Sequence, residues 1–212
     1  SFWLYAVNGF NGEKFSSGGL RGGRQKGYKA KAENFATTGR IDITPIPGVF
    51  FGTSFYKGGS AQGTLGDADL GTTIVDVHGQ VQIRGFDFRG LYAKANIDDA
   101  VAFNKAHKLE GSKGLAETLE GGYVIIGYNV LSQTSDIDGP SFTPYVKFER
   151  VDTQASMPVG YNRSLSTLNN FRTIGFEFKP ILNVVIKVDH MWVTNKAKSG
   201  LNQFNVNLGY GF

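Results

Sequence analysis

The sequence predicts an all-β fold, an antiparallel transmembrane β-barrel with about ten strands in this chain. Three observations predict it. Apolar and polar residues alternate over segments about 9–11 residues long, the length a tilted spanning strand needs. The connections between these segments switch regularly between tight turns and long loops. The composition combines 29 Gly, 17 Phe and 9 Tyr with only 6 Pro in 212 residues, which suits many strands joined by glycine-rich loops better than helices. The length fits one domain, residues 1–212. A hydrophobic share of 41% decides nothing, because alternation gives a membrane barrel the average of a soluble protein. No run approaches the roughly 18–20 apolar residues of a membrane helix. Cysteine is absent, so there is no disulfide framework and no thiolate metal site.

The strands follow in order. Residues 2–7 open the chain already in a strand pattern. In 34–44, Phe35, Ile41 and Ile43 oppose Arg40 and Asp42. Residues 49–56 form the next strand, tightly connected through Pro45-Ile46-Pro47-Gly48. In 73–84, Val75, Val77, Val81 and Ile83 share one face against Asp76, His78, Gln80, Gln82 and Arg84. A run of polar side chains on one face fits a wet lumen better than a packed core, where each would need a buried partner. Residues 88–97, 122–130 and 142–150 read as further strands. In 170–179, Ile174, Phe176 and Phe178 oppose Thr173, Glu177 and Lys179; in 184–193, Ile186, Val188 and Trp192 oppose Lys187 and Asp189. The pattern is cleanest in 202–212. There Phe204, Val206, Leu208, Tyr210 and Phe212 face one way, and amides and glycines the other. Tyr210 and the terminal Phe212 resemble the closing-strand signal read by the outer-membrane assembly machinery.

The links 8–33, 57–71, 98–121, 151–169 and 195–201 are long and fall on the same side, as external loops do. The link 131–141 is the exception, longer than a periplasmic turn should be. Residues 98–119 mix Ala, Lys, Glu and Leu and are expected to hold one or two short helices, either on the rim or narrowing the lumen.

The stretch from Phe178 to Asp189, followed by Asn202 to Phe212, resembles the closing hairpin of bacterial porins of the phosphate-selective type. The segments 19–27 and 90–96 are similar to parts of the same group. The resemblance implies a larger barrel of about 16 to 18 strands, of which this chain would be the C-terminal part, lacking N-terminal strands. It implies an outer-membrane porin of a Gram-negative bacterium, passing small hydrophilic solutes or ions; the charge balance suggests only a mild anion preference, and, with no catalytic residues to name, the chain is not expected to be an enzyme. A barrel with a structural or surface-binding role, an adhesin or a sheath around a partner protein, is the alternative.

The residues expected to line the pore are Arg40, Asp42, Asp76, His78, Gln80, Gln82, Arg84, Lys94, Lys147, Glu149, Lys187 and Asp189, a near-balanced set. The whole chain carries a net charge of +4, and the loop 8–33 alone matches it, with Lys14, Arg21, Arg24, Lys26, Lys29 and Lys31 against Glu13 and Glu33. That basic loop has three readings: a solvated loop, a patch drawn to lipopolysaccharide, or a segment folded inward as an anion-gathering constriction. The expected partners are outer-membrane lipid and lipopolysaccharide, small solutes including anions, and the assembly machinery. A homotrimer is compatible with the pattern, and nucleic acid is not expected. No cofactor or metal is expected. Asp67 with Asp69, and Asp136 with Asp138, lack the full set of calcium ligands and read as turns. His78, His107 and His190 are scattered, and spacing assembles no Ser/His/Asp constellation.

Overall fold

A computed structural model of the protein describes residues 1–65, 68–134 and 139–211. Ten antiparallel strands form one sheet in chain order: β1 (Phe2–Asn8), β2 (Phe35–Ile46), β3 (Val49–Gly58), β4 (Thr72–Ile83), β5 (Phe86–Ile97), β6 (Thr118–Tyr128), β7 (Ser141–Ser156), β8 (Leu168–Ile181), β9 (Val184–Thr194) and β10 (Gln203–Tyr210). Each strand pairs with its sequence neighbours, the up-and-down meander that alternating short and long links require. Among the described residues β1 and β10 each have one strand neighbour, so both outer edges carry a row of backbone groups without a ladder partner.

Directly paired residues share a face, and the register carries two faces across the whole sheet. One is apolar on every strand: Leu4, Ile41, Phe55, Val75 and Val77, Phe88, Val124, Phe148, Ile174, Val188 and Leu208 all lie on it. Nothing within the chain covers it; Leu208 is 76% and Val77 57% exposed. A continuous apolar surface of this extent would be an aggregation face in water, and it matches a hydrocarbon environment. Toward the long loops the same face turns polar. Lys57, Thr73, Lys94, Glu120, Arg150 and Asn170 form a row there that marks the rim of the apolar belt.

The tight links are tighter than the sequence suggests. At β4–β5 only Arg84 and Gly85 turn the chain, with φ of 50° and 86°, the paired positive angles of a primed hairpin turn. Gly48 supplies the positive φ of the β2–β3 turn, 84°, and a Cβ there would run into the backbone of Gln82. β6 starts four residues earlier than expected, and β7 runs on to Ser156 with a register shift against Thr118–Glu120. These extensions rise above the belt and carry the loops.

The long loops are not loose. Phe15, Ala61, Leu70, Ile97, Phe103 and Leu115 form a buried cluster, joined by Phe10, Leu20, Leu65, Leu109 and Leu119. These come from the links β1–β2, β3–β4 and β5–β6 and the adjoining strand ends. The expected helix is α1 (Ala100–Ala106), which places Phe103 in this core; a single 3-10 turn, Gly111–Lys113, follows it. Buried polar side chains tie the cap together. Asn104 donates to the Leu115 carbonyl (3.0 Å) and accepts from the Leu115 amide (2.7 Å). Gln154 donates to the carbonyls of Gly114 (2.9 Å) and Ser112 (3.0 Å) and accepts from Ser164 N–H (2.8 Å).

Candidate functional site

The second face of the sheet is polar, and the structure places on it most of the residues expected to line a lumen. Arg40 and Asp42 on β2, Asp76, His78, Gln80 and Gln82 on β4, Lys147 and Glu149 on β7, and Lys187 and Asp189 on β9 share this face. Two residues do not. Lys94 pairs with Val75 and Glu120 on the apolar face, because β5 runs without a bulge and Lys94 keeps the parity of Phe88 and Tyr92. Arg84 lies in the β4–β5 turn, beyond the end of the strand, and from there it borders the cavity at the short-turn end of the polar side.

A recurring local pattern organises the charges. A cation and a carboxylate two residues apart on one strand point the same way, and they meet: Arg40 with Asp42 (2.9 Å), Arg89 with Asp87 (2.6 Å), Lys179 with Glu177 (3.2 Å), and Lys147 with Glu149. Asp87 and Arg89 were not among the expected lining residues, since Asp87 reads as part of a turn; the spacing of opposite charges on alternate positions is the signal that finds them. Each pair is half-solvated and worth little to stability, about 0–1 kcal/mol. Their effect is to keep the face hydrated and close to neutral.

Tyr145 crosses to β9: its hydroxyl donates to Asp189 (2.9 Å), Asn205 donates to the same carboxylate (2.8 Å), and the Lys187 ammonium sits 4.8 Å from the Tyr145 ring centre. A cavity of about 480 Å³ opens here at the short-turn end, lined by Arg89, Asp87, Lys147, Glu177, Lys187 and Asp189.

A second cluster is one that spacing did not assemble. His78 lies between two carboxylates, Nδ1 2.6 Å from Asp76 and Nε2 3.2 Å from Asp42, and Ser54 hydrogen-bonds to Asp76. The chain Ser54–Asp76–His78–Asp42–Arg40 thus spans three strands. β3 lies between Asp42 and His78, and Gly52 makes their contact feasible, since a Cβ at Gly52 would collide with both. Such a chain can hold or relay a proton on the imidazole. The Ser54 hydroxyl addresses a carboxylate and not the ring, which differs from a serine–histidine nucleophile pair. Of the other histidines, His107 stacks on Phe103 in the cap and His190 lies beside Trp192 on the apolar face.

The basic loop between β1 and β2 lies over the polar side at the long-loop end. Phe10 packs on Tyr56 (4.8 Å between ring centres), Gly19 lies against Leu119, and Ser17 accepts a hydrogen bond from Thr153 Oγ1 (2.7 Å), so the loop reaches across to β6 and β7. Its glycines form a 3-10 turn, Arg21–Gly23, in which Gly23 N–H donates to the Leu20 carbonyl. Lys31 pairs with Glu13 (3.3 Å), whereas Arg21, Arg24, Lys26 and Lys29 are exposed and meet no carboxylate among the described residues. Tyr210 lies on the apolar face opposite Val184. Phe212, Asp67, Asp136 and Asp138 lie outside the described residues. Among the described residues no group of three or more His, Cys, Asp or Glu is arranged to hold a metal.

No family model matches the chain. A relative from Aquifex aeolicus (strain VF5), described as an uncharacterized protein, is 28% identical over 210 residues, covering 93% of this chain and 47% of the relative. The chain thus spans about half the length of the curated relative it matches. Among solved structures it is similar to LpxR from Salmonella typhimurium, with a TM-score of 0.37 and 10% identity over 84% of this chain and 73% of that one. LpxR is an outer-membrane enzyme, and this finding stands against the expectation that the chain is not an enzyme. At that TM-score the likeness carries no activity over to this chain.

Proposed function

We propose that the chain forms the wall of an outer-membrane porin, through which small hydrophilic solutes diffuse passively with a mild preference for anions. The observation that carries this reading is the polar face. From β2 to β10 it presents paired charges, amides and hydroxyls, many of them half-exposed, on a sheet whose other face is fitted to lipid. Such a surface is hydrated along its length, and its near-neutral pairs leave no strong charge barrier. The anion preference is assigned to the loop that crosses this face, where Arg21, Arg24, Lys26 and Lys29 bring positive charge without matching carboxylates. The resemblance of the closing hairpin to phosphate-selective porins agrees with this reading. Hydrocarbon tolerates no open sheet edge, so in a bilayer β1 and β10 each require a further strand beside them. We read the wall as one part of a larger barrel.

The test is planar-bilayer conductance of the purified protein. Stepwise openings with modest anion selectivity are expected, and Arg21→Ser, Arg24→Ser and Lys26→Ser together should bring the anion preference to near parity without closing the pore. Bilayers that stay silent over many verified insertions would overturn the porin reading and favour the structural or surface-binding barrel. Unchanged selectivity in the triple variant would remove the loop from the filter.

A further inference from the structure

We infer that the apolar face carries a seat for a membrane lipid with an anionic phosphate headgroup, at its rim on the long-loop side. A groove of about 650 Å³ runs across β5 to β9 there, lined by Tyr92, Gly122, Val124, Phe148, Arg150 and Arg172. Tyr92, Gly122 and Val124 share the apolar face with Phe148 and line the groove with it; Gly122, having no side chain, lets the Tyr92 ring lie close over β6. The floor is therefore hydrocarbon-like, and its upper end is cationic.

Arg150 pairs with Gly122 and Asn170, and Arg172 pairs with Phe148 and Trp192. The two arginines are thus diagonal neighbours on β7 and β8, at a spacing of about 7–8 Å, which two guanidiniums can bridge through one phosphate. Both are exposed, and among the described residues neither meets a carboxylate or a hydrogen-bond acceptor. The arginines on the polar-face strands behave differently: Arg40 and Arg89 each hold an aspartate. The acids at or near the groove are already engaged: Glu149, which lines it, by Lys147, Glu120 by the Tyr92 hydroxyl (3.0 Å), and Asp152 by Arg163. The rim of the belt is where headgroups lie, so an acyl chain along Val124 and Phe148 would bring its phosphate to the arginines. Charge complementarity and the apolar floor together select a phospholipid-type anion over a protein partner. The inference rests on the membrane reading and is independent of conduction.

Trp192 lies opposite Arg172 and serves as reporter; Trp3, the second of the two tryptophans, is removed as Trp3→Phe. The protein is reconstituted into phosphatidylcholine vesicles containing a small fraction of dibrominated phosphatidic acid or, in parallel, dibrominated phosphatidylcholine. Quenching of Trp192 should show phosphatidic acid favoured on the order of tenfold. Arg150→Gln with Arg172→Gln should bring that ratio to near one, and Gly122→Leu should lower it several-fold with both arginines in place. Arg150→Lys with Arg172→Lys, which keeps the charge, should retain part of it, and heat-modifiable gel migration verifies folding in each variant. Equal quenching by the two lipids in the parent protein, or a preference unchanged in the double Gln variant, would overturn the seat. A preference unaffected by Gly122→Leu would reduce it to bulk charge attraction and overturn it as well. Bilayer conductance of the double Gln variant is measured separately, so a failed seat and a failed pore give different results.

Discussion

The loop cap and the strand wall of this protein are built on opposite principles. The cap buries its apolar residues against one another: Phe103, Leu70 and Leu115 are almost wholly inaccessible, and buried Asn104 and Gln154 satisfy the backbone around them. The wall buries almost nothing of its own. Its apolar side chains point outward with no protein behind them, and its polar side chains point to water and to each other. The difference shows where the hydrophobic effect acts. In the cap it folds the polypeptide, as in a small soluble domain; in the wall it partitions a finished sheet into lipid, and backbone hydrogen bonds between strands carry the shape.

The largest lesion should fall in the cap. Phe103→Ala is expected to cost about 3–5 kcal/mol of cap stability, read as trypsin cleavage within residues 98–117 while the far-ultraviolet β signal of the wall persists. Loss of both together would mean that cap and wall fold as one unit, and would break the comparison.

Next comes the wall's lipid side. Val77→Arg should cost about 2–4 kcal/mol in urea unfolding from lipid vesicles. Gln80→Arg, on the same strand but on the polar face, should stay within about 1 kcal/mol of the parent. Equal costs at the two positions would contradict the assignment of the faces.

The smallest of the three lesions is expected at Gly52. Gly52→Ala should cost about 1–3 kcal/mol, because the added methyl collides with Asp42 and His78 across β3. It should shift the His78 ring resonances while leaving the lipid-face variants' energetics unchanged. Unshifted His78 signals would mean that the Asp42–His78 contact is not formed in the membrane.

Much of the wall was readable from residue order. The ten strands fall where alternation puts them, and most of the charged residues expected on one face lie on one face, because a strand's period of two lets no residue choose its side. Lys94 failed for the same reason: the parity of β5 is set by Phe88 and Tyr92, and a charged residue above the belt follows that parity without cost, since it sits at the polar rim. The Ser54–Asp76–His78–Asp42–Arg40 chain was not readable. Its members stand on three strands, and only the register that sets Ser54 against Asp76 and Gly52 against both Asp42 and His78 brings them together.

Sequence alone determined the all-β class, the number of strands, the two opposed faces and the side on which the long loops lie, because each follows from local periodicity and turn chemistry. Tertiary structure alone decided that the loops close into a buried cap, that the basic loop crosses the polar face to reach Thr153, and that Arg150 and Arg172 stand together above an apolar groove. Those outcomes depend on contacts between residues tens to more than a hundred positions apart, and no local pattern encodes which of the many candidate encounters packs best.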